Sequence, residues 1–246
     1  MSYEQFAYVY DILMKDAPYD KWFQAVQKQT GGKPARLLEV AAGTGKFAKL
    51  LLDEGHEVTC VDLSEDMLTV ARDRLASDTG QTPMLVCQDM RSLDIGAQFD
   101  GITILCDSLN YLHDLMDWKA TLTAAARHLE DHGWLLFDVH SLKKMDAFIE
   151  EGTYAYASDE VSYIWNTFKG EGEARVDHEI TFFVSIDDDN LCERFEEVHE
   201  QQAFPMDAIM ECIHESGLSL EQCIGDFDET IPLEEAERWL FLCRKK

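Results

Sequence analysis

Between residues 35 and 142 the chain alternates between short apolar runs and longer amphipathic stretches. The runs are "ARLLEVA", "EVTCVDL", "MLVCQDM", "FDGITILCD" and "GWLLFDVHS". Three of the intervening segments, "GKFAKLLLDEG", "SEDMLTVARDRLAS" and "DWKATLTAAARHLEDHG", carry helical spacing. Ser64 stands as a cap with acids in the first turn of the second, and Gly133 lies past the end of the third. Short apolar strands need cover on both faces, and amphipathic helices supply it, so the pattern predicts a parallel sheet. Right-handed crossovers then give a doubly wound α/β fold, with ligands beyond the carboxyl ends of the strands.

The flanking segments complete the plan. Residues 3–30 are helical in pattern and aromatic, with Pro18 as an interruption and "QKQTGGKP" as the following loop. The pattern changes after about residue 150. "YAYASDEVSYIWNTFK", "ARVDHEITFFVSIDDD" and "LCERFEEVHEQQAF" read as an antiparallel β-ribbon laid against the sheet. In its middle strand Val176, His178, Ile180, Phe182, Val184 and Ile186 share one parity. "PMDAIMECIHESG" returns to helix behind Pro205, and "LSLEQCIGDFDE" and "RWLFLCRKK" read as the last two strands. The expectation is one domain over residues 1–246 with a mostly parallel seven-stranded sheet. Its parts are a helical lid (1–30), a core (31–150), a β-ribbon insertion after the fifth strand (151–204), and a final helix with two strands (205–246).

Charge and cysteine content narrow the function classes. Lys and Arg number 21 against 48 Asp and Glu, a formal net charge of -27. Such a surface repels phosphate backbones and anionic membranes, so a nucleic-acid substrate is disfavoured. The seven cysteines form no C-x-x-C pair, and most sit in apolar runs. Buried thiols in a reducing compartment are the natural reading. The N-terminal residues have no basic region and no apolar core of a signal peptide, and no apolar run has the length of a membrane span. A cytoplasmic protein is expected. No ligand spacing predicts a metal site.

"EVAAGTGKFA", residues 39–48, closes the first strand and admits three nucleotide readings. A phosphate loop would need a glycine at position 40 and a hydroxyl at 47, where Val40 and Phe47 stand. A dinucleotide loop fits G-x-G-x-x-A, and Asp62 follows Gly43 at nearly the distance of a ribose-binding acid. Glu39 argues against a pyrophosphate, which its carboxylate would repel at the helix start. Asp62 and Asp89 close the second and third strands, so three acids converge at one sheet edge. That pocket suits a cationic cofactor.

Taken together these segments resemble the class I S-adenosylmethionine-dependent methyltransferase family of small-molecule type, strongly over residues 35–142. "LLEVAAGTGKFA" is similar to its first motif, with Ala41 where glycine is commonest. "VTCVDLSEDML", "VCQDM" and "ILCDSLNYL" resemble the second, third and fourth. The resemblance implies S-adenosylmethionine as cofactor, leaving S-adenosylhomocysteine as product. It places Glu39, Ala41, Gly43, Thr44 and Gly45 in the binding loop. Asp62 would accept from the ribose hydroxyls, with Leu63 and Met67 packing nearby. Gln88, Asp89 and Met90 would meet the adenine. Cys106, Asp107 and Ser108 would lie beside the methionine part, with Tyr10 and Phe6 of the lid covering the cofactor.

The expected activity is methyl transfer to a small-molecule acceptor. Alignment and a dry pocket suffice for an acceptor that is neutral at working pH, so no catalytic residue is forced. His140 and Asp107 are the candidates for a base, at the ends of the fifth and fourth strands. The ribbon aromatics Tyr154, Tyr156, Tyr163, Trp165 and Phe168 suit either packing or an amine cage. Its edge could pair with a second chain as a homodimer. A non-catalytic cofactor sensor or scaffold, a tRNA or protein methyltransferase and an NAD-dependent oxidoreductase remain as alternatives.

Overall fold

The structure, a computed structural model, describes residues 3–76, 83–186 and 191–246; the side chains of residues 3–6 and 8 lie outside the description. The expected role of Phe6 therefore falls outside the described side chains. Two helices, α1 (Tyr3–Leu13) and α2 (Tyr19–Thr30), precede the sheet, and α2 runs through the segment read as a loop until Gly31 closes it in a left-handed conformation.

The alternation then follows as β1 (Arg36–Val40), α3 (Lys46–Asp53), β2 (Glu57–Asp62), α4 (Glu65–Leu75), β3 (Met84–Cys87), β4 (Phe99–Ile104), α5 (Leu115–His128) and β5 (Leu129–His140). Ser64 caps α4 as expected, its hydroxyl accepting from the Met67 N–H. Helix α5 is shorter than the sequence suggests. The His128 ring accepts from the Ile95 N–H and pins the helix end to the loop before β4. Gly133 lies inside β5, where a Cβ would sit 2.9 Å from the Glu130 carbonyl, so it serves a strand irregularity rather than a helix end.

Between β5 and the insertion, where the sequence reading assigns no element, the structure has a helix α6 (Leu142–Glu151), capped by Ser141. Strands β6 (Thr153–Ala157), β7 (Val161–Lys169), β8 (Arg175–Ser185) and β9 (Cys192–Gln202) follow, then α7 (Met206–Glu215), β10 (Leu218–Gly225) and β11 (Arg238–Lys245).

The seven-stranded sheet has the order β10-β11-β5-β4-β1-β2-β3. Strands β1 to β5 pair in parallel, and β11 runs antiparallel to both of its neighbours. The chain leaves β1 first towards β3 and later towards β5, so the crevice between β1 and β4 is the switch point where such sheets bind ligands. Leu38, Val40, Trp118, Phe137 and Phe241 share the core on one face. Leu37, Trp22, Phe47, Leu51 and Trp134 share the core on the other. Gly101 admits the Trp134 indole, which would lie 2.2 Å from any Cβ there.

The insertion is a four-stranded antiparallel sheet in the order β6-β7-β8-β9. The shared parity on β8 holds for Val176, His178, Ile180 and Phe182, all buried, while Ile186 is exposed. The sheet does not lie on the main strands, as the sequence reading had it. It packs on helices: Val161, Ile180 and Phe182 meet Ala7, Val9 and Met67 of α1 and α4, and Val176 meets Met145 and Phe148 of α6. Among the described residues no helix is long and apolar enough to cross a membrane.

Candidate active site

The turn after β1 is left-handed at Ala41, Gly43 and Gly45, with φ of 56°, 54° and 73°. Asp62, at the end of β2, holds it in shape: one oxygen accepts from the Gly43 N–H at 2.7 Å and the other from the Ser64 N–H at 2.9 Å. Burial raises the pKa of Asp62, and these N–H donors oppose the rise. Thr44 is buried, and its hydroxyl donates to Asp11 of α1 at 2.8 Å. Arg74 of α4 donates to the Thr44 carbonyl at 2.8 Å and pairs with Asp11. Helix α1 is thereby fastened over the turn, and a Cβ added at Gly43 would meet the Tyr10 ring at 3.7 Å.

A cleft at the β1/β4 crevice brings together Tyr10, Glu39, Ala41, Gly43, Thr44 and Cys106. Glu39 faces the α2 side of β1 and is buried, and its Oε2 has no hydrogen-bond partner among the described residues. Burial raises its pKa well above the usual carboxylate range, and the Asp62 charge adds to the rise. The Tyr10 hydroxyl meets the Cys106 thiol at 3.7 Å. Tyr19, Trp22, Ala42, Lys46, Phe47 and Leu105 complete the wall. Of these, Tyr19 and Trp22 carry a readable signal in the aromatic stretch 19–23, whereas the others carry none as site residues.

The other candidates lie outside that lining. Leu63 is 70% exposed beside Asp62. Met67 is buried between α4, α1 and the four-stranded sheet. Gln88 accepts from the Asp94 N–H at 2.9 Å. Asp89 lies beyond the end of β3 and caps the 3₁₀ turn Met90–Ser92, while Arg91 Nε donates to both its oxygens at 3.0 Å. Those bonds with Arg91 hold its pKa below the usual value. Met90 is partly buried against the main core. A larger open groove bounded by Arg91, Gly96, Arg127 and Glu130 contains none of the candidates.

Asp107 and His140 belong to a buried polar cluster beneath the cleft. Asp107 accepts from Gln201 Nε2 at 2.7 Å and from Arg238 at 3.0 Å. Burial works against its carboxylate, but the Arg238 charge and the hydrogen bonds from Gln201 and Arg238 outweigh it and hold the pKa below the usual value. His140 Nε2 lies 2.8 Å from Arg238 and accepts its N–H, so the ring is neutral with its proton towards Gln201 Oε1 at 3.4 Å. Burial pushes its pKa down to about 3. Asn110 joins β5 to β9, accepting from the His140 N–H at 2.9 Å and donating to the Gln202 carbonyl at 3.0 Å. The Ser108 hydroxyl donates to the Leu105 carbonyl at 2.7 Å.

Comparison with known proteins agrees with this geometry. A family model described as a methyltransferase domain matches residues 37–133. A Bacillus subtilis protein named "Putative methyltransferase YqeM" is 39% identical over 246 residues, covering 100% of this chain and 98% of that one. A solved S-adenosylmethionine-dependent methyltransferase from Clostridium acetobutylicum is similar with a TM-score of 0.86 and 30% identity, covering 99% and 98% of the two chains. A glycine/sarcosine N-methyltransferase of Aphanothece halophytica is 27% identical over 92% of this chain and 81% of its own. The chain belongs to the class I S-adenosylmethionine-dependent methyltransferases, and its cofactor is S-adenosylmethionine.

The residues of the cleft fit that cofactor. A buried carboxylate oxygen without a hydrogen-bond partner among the described residues, Glu39 Oε2, suits a cationic ligand, and Gly43 and Gly45 contribute backbone with no side chain of their own.

Proposed function

We propose that this methyltransferase acts on a small nitrogen-bearing molecule, with the cofactor held in the cleft between β1, β4 and α1. The observation that carries this reading is the cover over the strand ends. Asp107, Asn110 and His140 are all buried where β4 and β5 end, closed in by Gln201 of β9. A macromolecule has no broad approach to such a site. The N-methyltransferase similar to this chain is named for glycine and sarcosine, which supports a compact amine.

Glu39 would meet the cationic end of the cofactor, and the backbone of Ala41 to Gly45 would line it. Asp62 keeps lone pairs for a ribose hydroxyl beyond its two backbone bonds. Asp89, Gln88, Leu63 and Met90 would border the adenine. Cys106 and Tyr10 would enclose the methionine part, with Asp107 and Ser108 shaping the turn from behind. The bound cofactor supplies a methyl carbon activated by its sulfonium. The acceptor's own lone pair is the nucleophile, and the chain aligns it and excludes water. His140 has its Nε2 engaged by Arg238, so its part is to hold that arginine rather than to take a proton. Unpaired cysteines throughout fit a cytoplasmic setting.

Calorimetric titration with S-adenosylmethionine, S-adenosylhomocysteine and NADH, followed by transfer of labelled methyl to a panel of small amines, tests the reading. Micromolar binding of both adenosyl ligands and labelling of a small amine are expected. Labelling of tRNA or protein alone would overturn the acceptor class.

A further inference from the structure

Cys106 and Asp107, where β4 gives way to the next turn, are consecutive residues in the left-handed region, with φ of 61° and 49°. Residues with a side chain avoid that region unless their surroundings hold them there. The local chain gives little help. Asp107 stands at the start of the 3₁₀ turn Ser108–Tyr111, yet its carboxylate caps nothing. Instead it reaches Arg238, 131 residues away, and Gln201. The same guanidinium pairs with Asp138 of β5, whose carboxylate lies beside the Cys106 N–H, and donates to His140 Nε2. Its Cζ lies over the Trp22 ring, 5.8 Å from the ring centroid, and Trp22 walls the cleft.

Two buried carboxylates on neighbouring strand ends repel each other without a cation between them. A guanidinium has the forked donors to serve both at once, where an ammonium offers a single point.

We infer that Arg238 is a positioning residue for methyl transfer: bridging Asp107 and Asp138, it locks the left-handed Cys106–Asp107 turn that forms the β4 wall of the cofactor cleft. The inference rests on the assignment of that cleft to the cofactor. Release of the bridge lets the turn relax, withdraws Cys106 from Tyr10, and spoils the cleft while the distant core stays intact.

The test uses the full-length Arg238→Gln and Arg238→Lys variants with two readouts. Calorimetry with S-adenosylhomocysteine reads the cleft. Alkylation by iodoacetamide, followed cysteine by cysteine by mass spectrometry, reads the turn, with buried Cys60 and Cys243 as internal controls. In R238Q we expect affinity to fall at least tenfold and Cys106 labelling to speed up at least tenfold, with Cys60 and Cys243 unchanged. R238K should show both effects in weaker form. Wild-type affinity and wild-type Cys106 labelling in folded R238Q overturn the inference. If R238Q exposes all three cysteines, R238K decides, and wild-type values there overturn it equally. If the wild-type protein fails to bind S-adenosylhomocysteine, the assignment of the cleft falls, whereas selective labelling of Cys106 still reports on the bridge.

Discussion

Thr44 Oγ1 donates a 2.8 Å hydrogen bond to Asp11 Oδ1, tying the glycine-rich turn to the first helix. Arg74 closes the arrangement by binding both residues. The link holds α1 and its Tyr10 beside the turn, so with the cofactor placed as proposed, its entry requires α1 to move. Its ionic half is about a quarter exposed, so solvent screening leaves it about 1 kcal/mol or less. Arg74→Ala should therefore weaken S-adenosylhomocysteine about fivefold, chiefly through faster release. Stopped-flow dissociation rates for the variant and the wild type check this, and equal rates contradict a latch.

Glu39 poses an opposite balance of stability and binding. Its folded pKa is raised by burial and then by Asp62. A raised carboxyl pKa means that the native state holds a proton the unfolded chain has released. Stability from this group is therefore greatest below the unfolded pKa and declines as pH climbs towards the folded one. Glu39→Gln should melt higher than the wild type at pH 8 and show no such gain at pH 4. The same change should weaken S-adenosylmethionine about tenfold, since a neutral amide replaces the partner of a cation. Melting curves at both pH values with parallel calorimetry decide the point. A variant that melts lower at pH 8 would show that Glu39 is stabilised by contacts and not burdened by burial.

Gly45 and Gly55 separate strain from crowding. Both have positive φ, 73° and 86°. A Cβ at Gly55 meets nothing within 4 Å, whereas one at Gly45 lies 3.0 Å from Leu75 Cδ1 and 3.1 Å from Ala71 Cβ. Gly55→Ala should cost about 1 kcal/mol, the left-handed penalty alone. Gly45→Ala should cost about 2–4 kcal/mol, because the turn is also driven away from α4. Urea midpoints of the two variants provide the comparison, and equal losses would remove packing from the account.

Much of this was legible before any coordinates. The strands β1, β2, β4 and β5 announce themselves because burial demands a nearly unbroken apolar run, the edge strand β3 reads the same way though none of its residues is buried, and the glycine turn with Glu39 and Asp62 follows from strand ends alone. Helix α6 was missed although Ser141, Gly152 and the spacing of Leu142, Met145 and Phe148 mark it. Its apolar stripe is short and is covered by Val176 and Ala203 of the insertion, a partner that local spacing does not show. Arg238 was invisible for a related reason. Its contacts with Asp107, Asp138 and His140 arise only from strand order, which places β11 beside β5. The Asp89–Arg91 pairing, two residues apart, is local enough to read from sequence, and it engages both oxygens of Asp89.

His178 gives the pH test. It is buried, accepts from Trp165 Nε1 at 3.1 Å through Nδ1, and stands against the Phe148 ring at 5.0 Å. Burial, partly opposed by Asp107, lowers its pKa from 6.5 to about 4. The sign is that of a base kept neutral: below pH 6.5 the unfolded chain takes up a proton that the native state refuses. Stability therefore falls as pH drops from 6.5 to about 4 and levels off below. At pH 5 the loss from this one group is about 2 kcal/mol. His178→Phe removes it, so the variant should lose about 5 °C less than the wild type in melting temperature between pH 7 and pH 5. Its starting stability also changes, because Trp165 loses an acceptor, so the quantity to compare is the slope with pH. The same slope in both proteins would move the acid sensitivity to the other histidines whose pKa burial lowers, His140, His199 and His56.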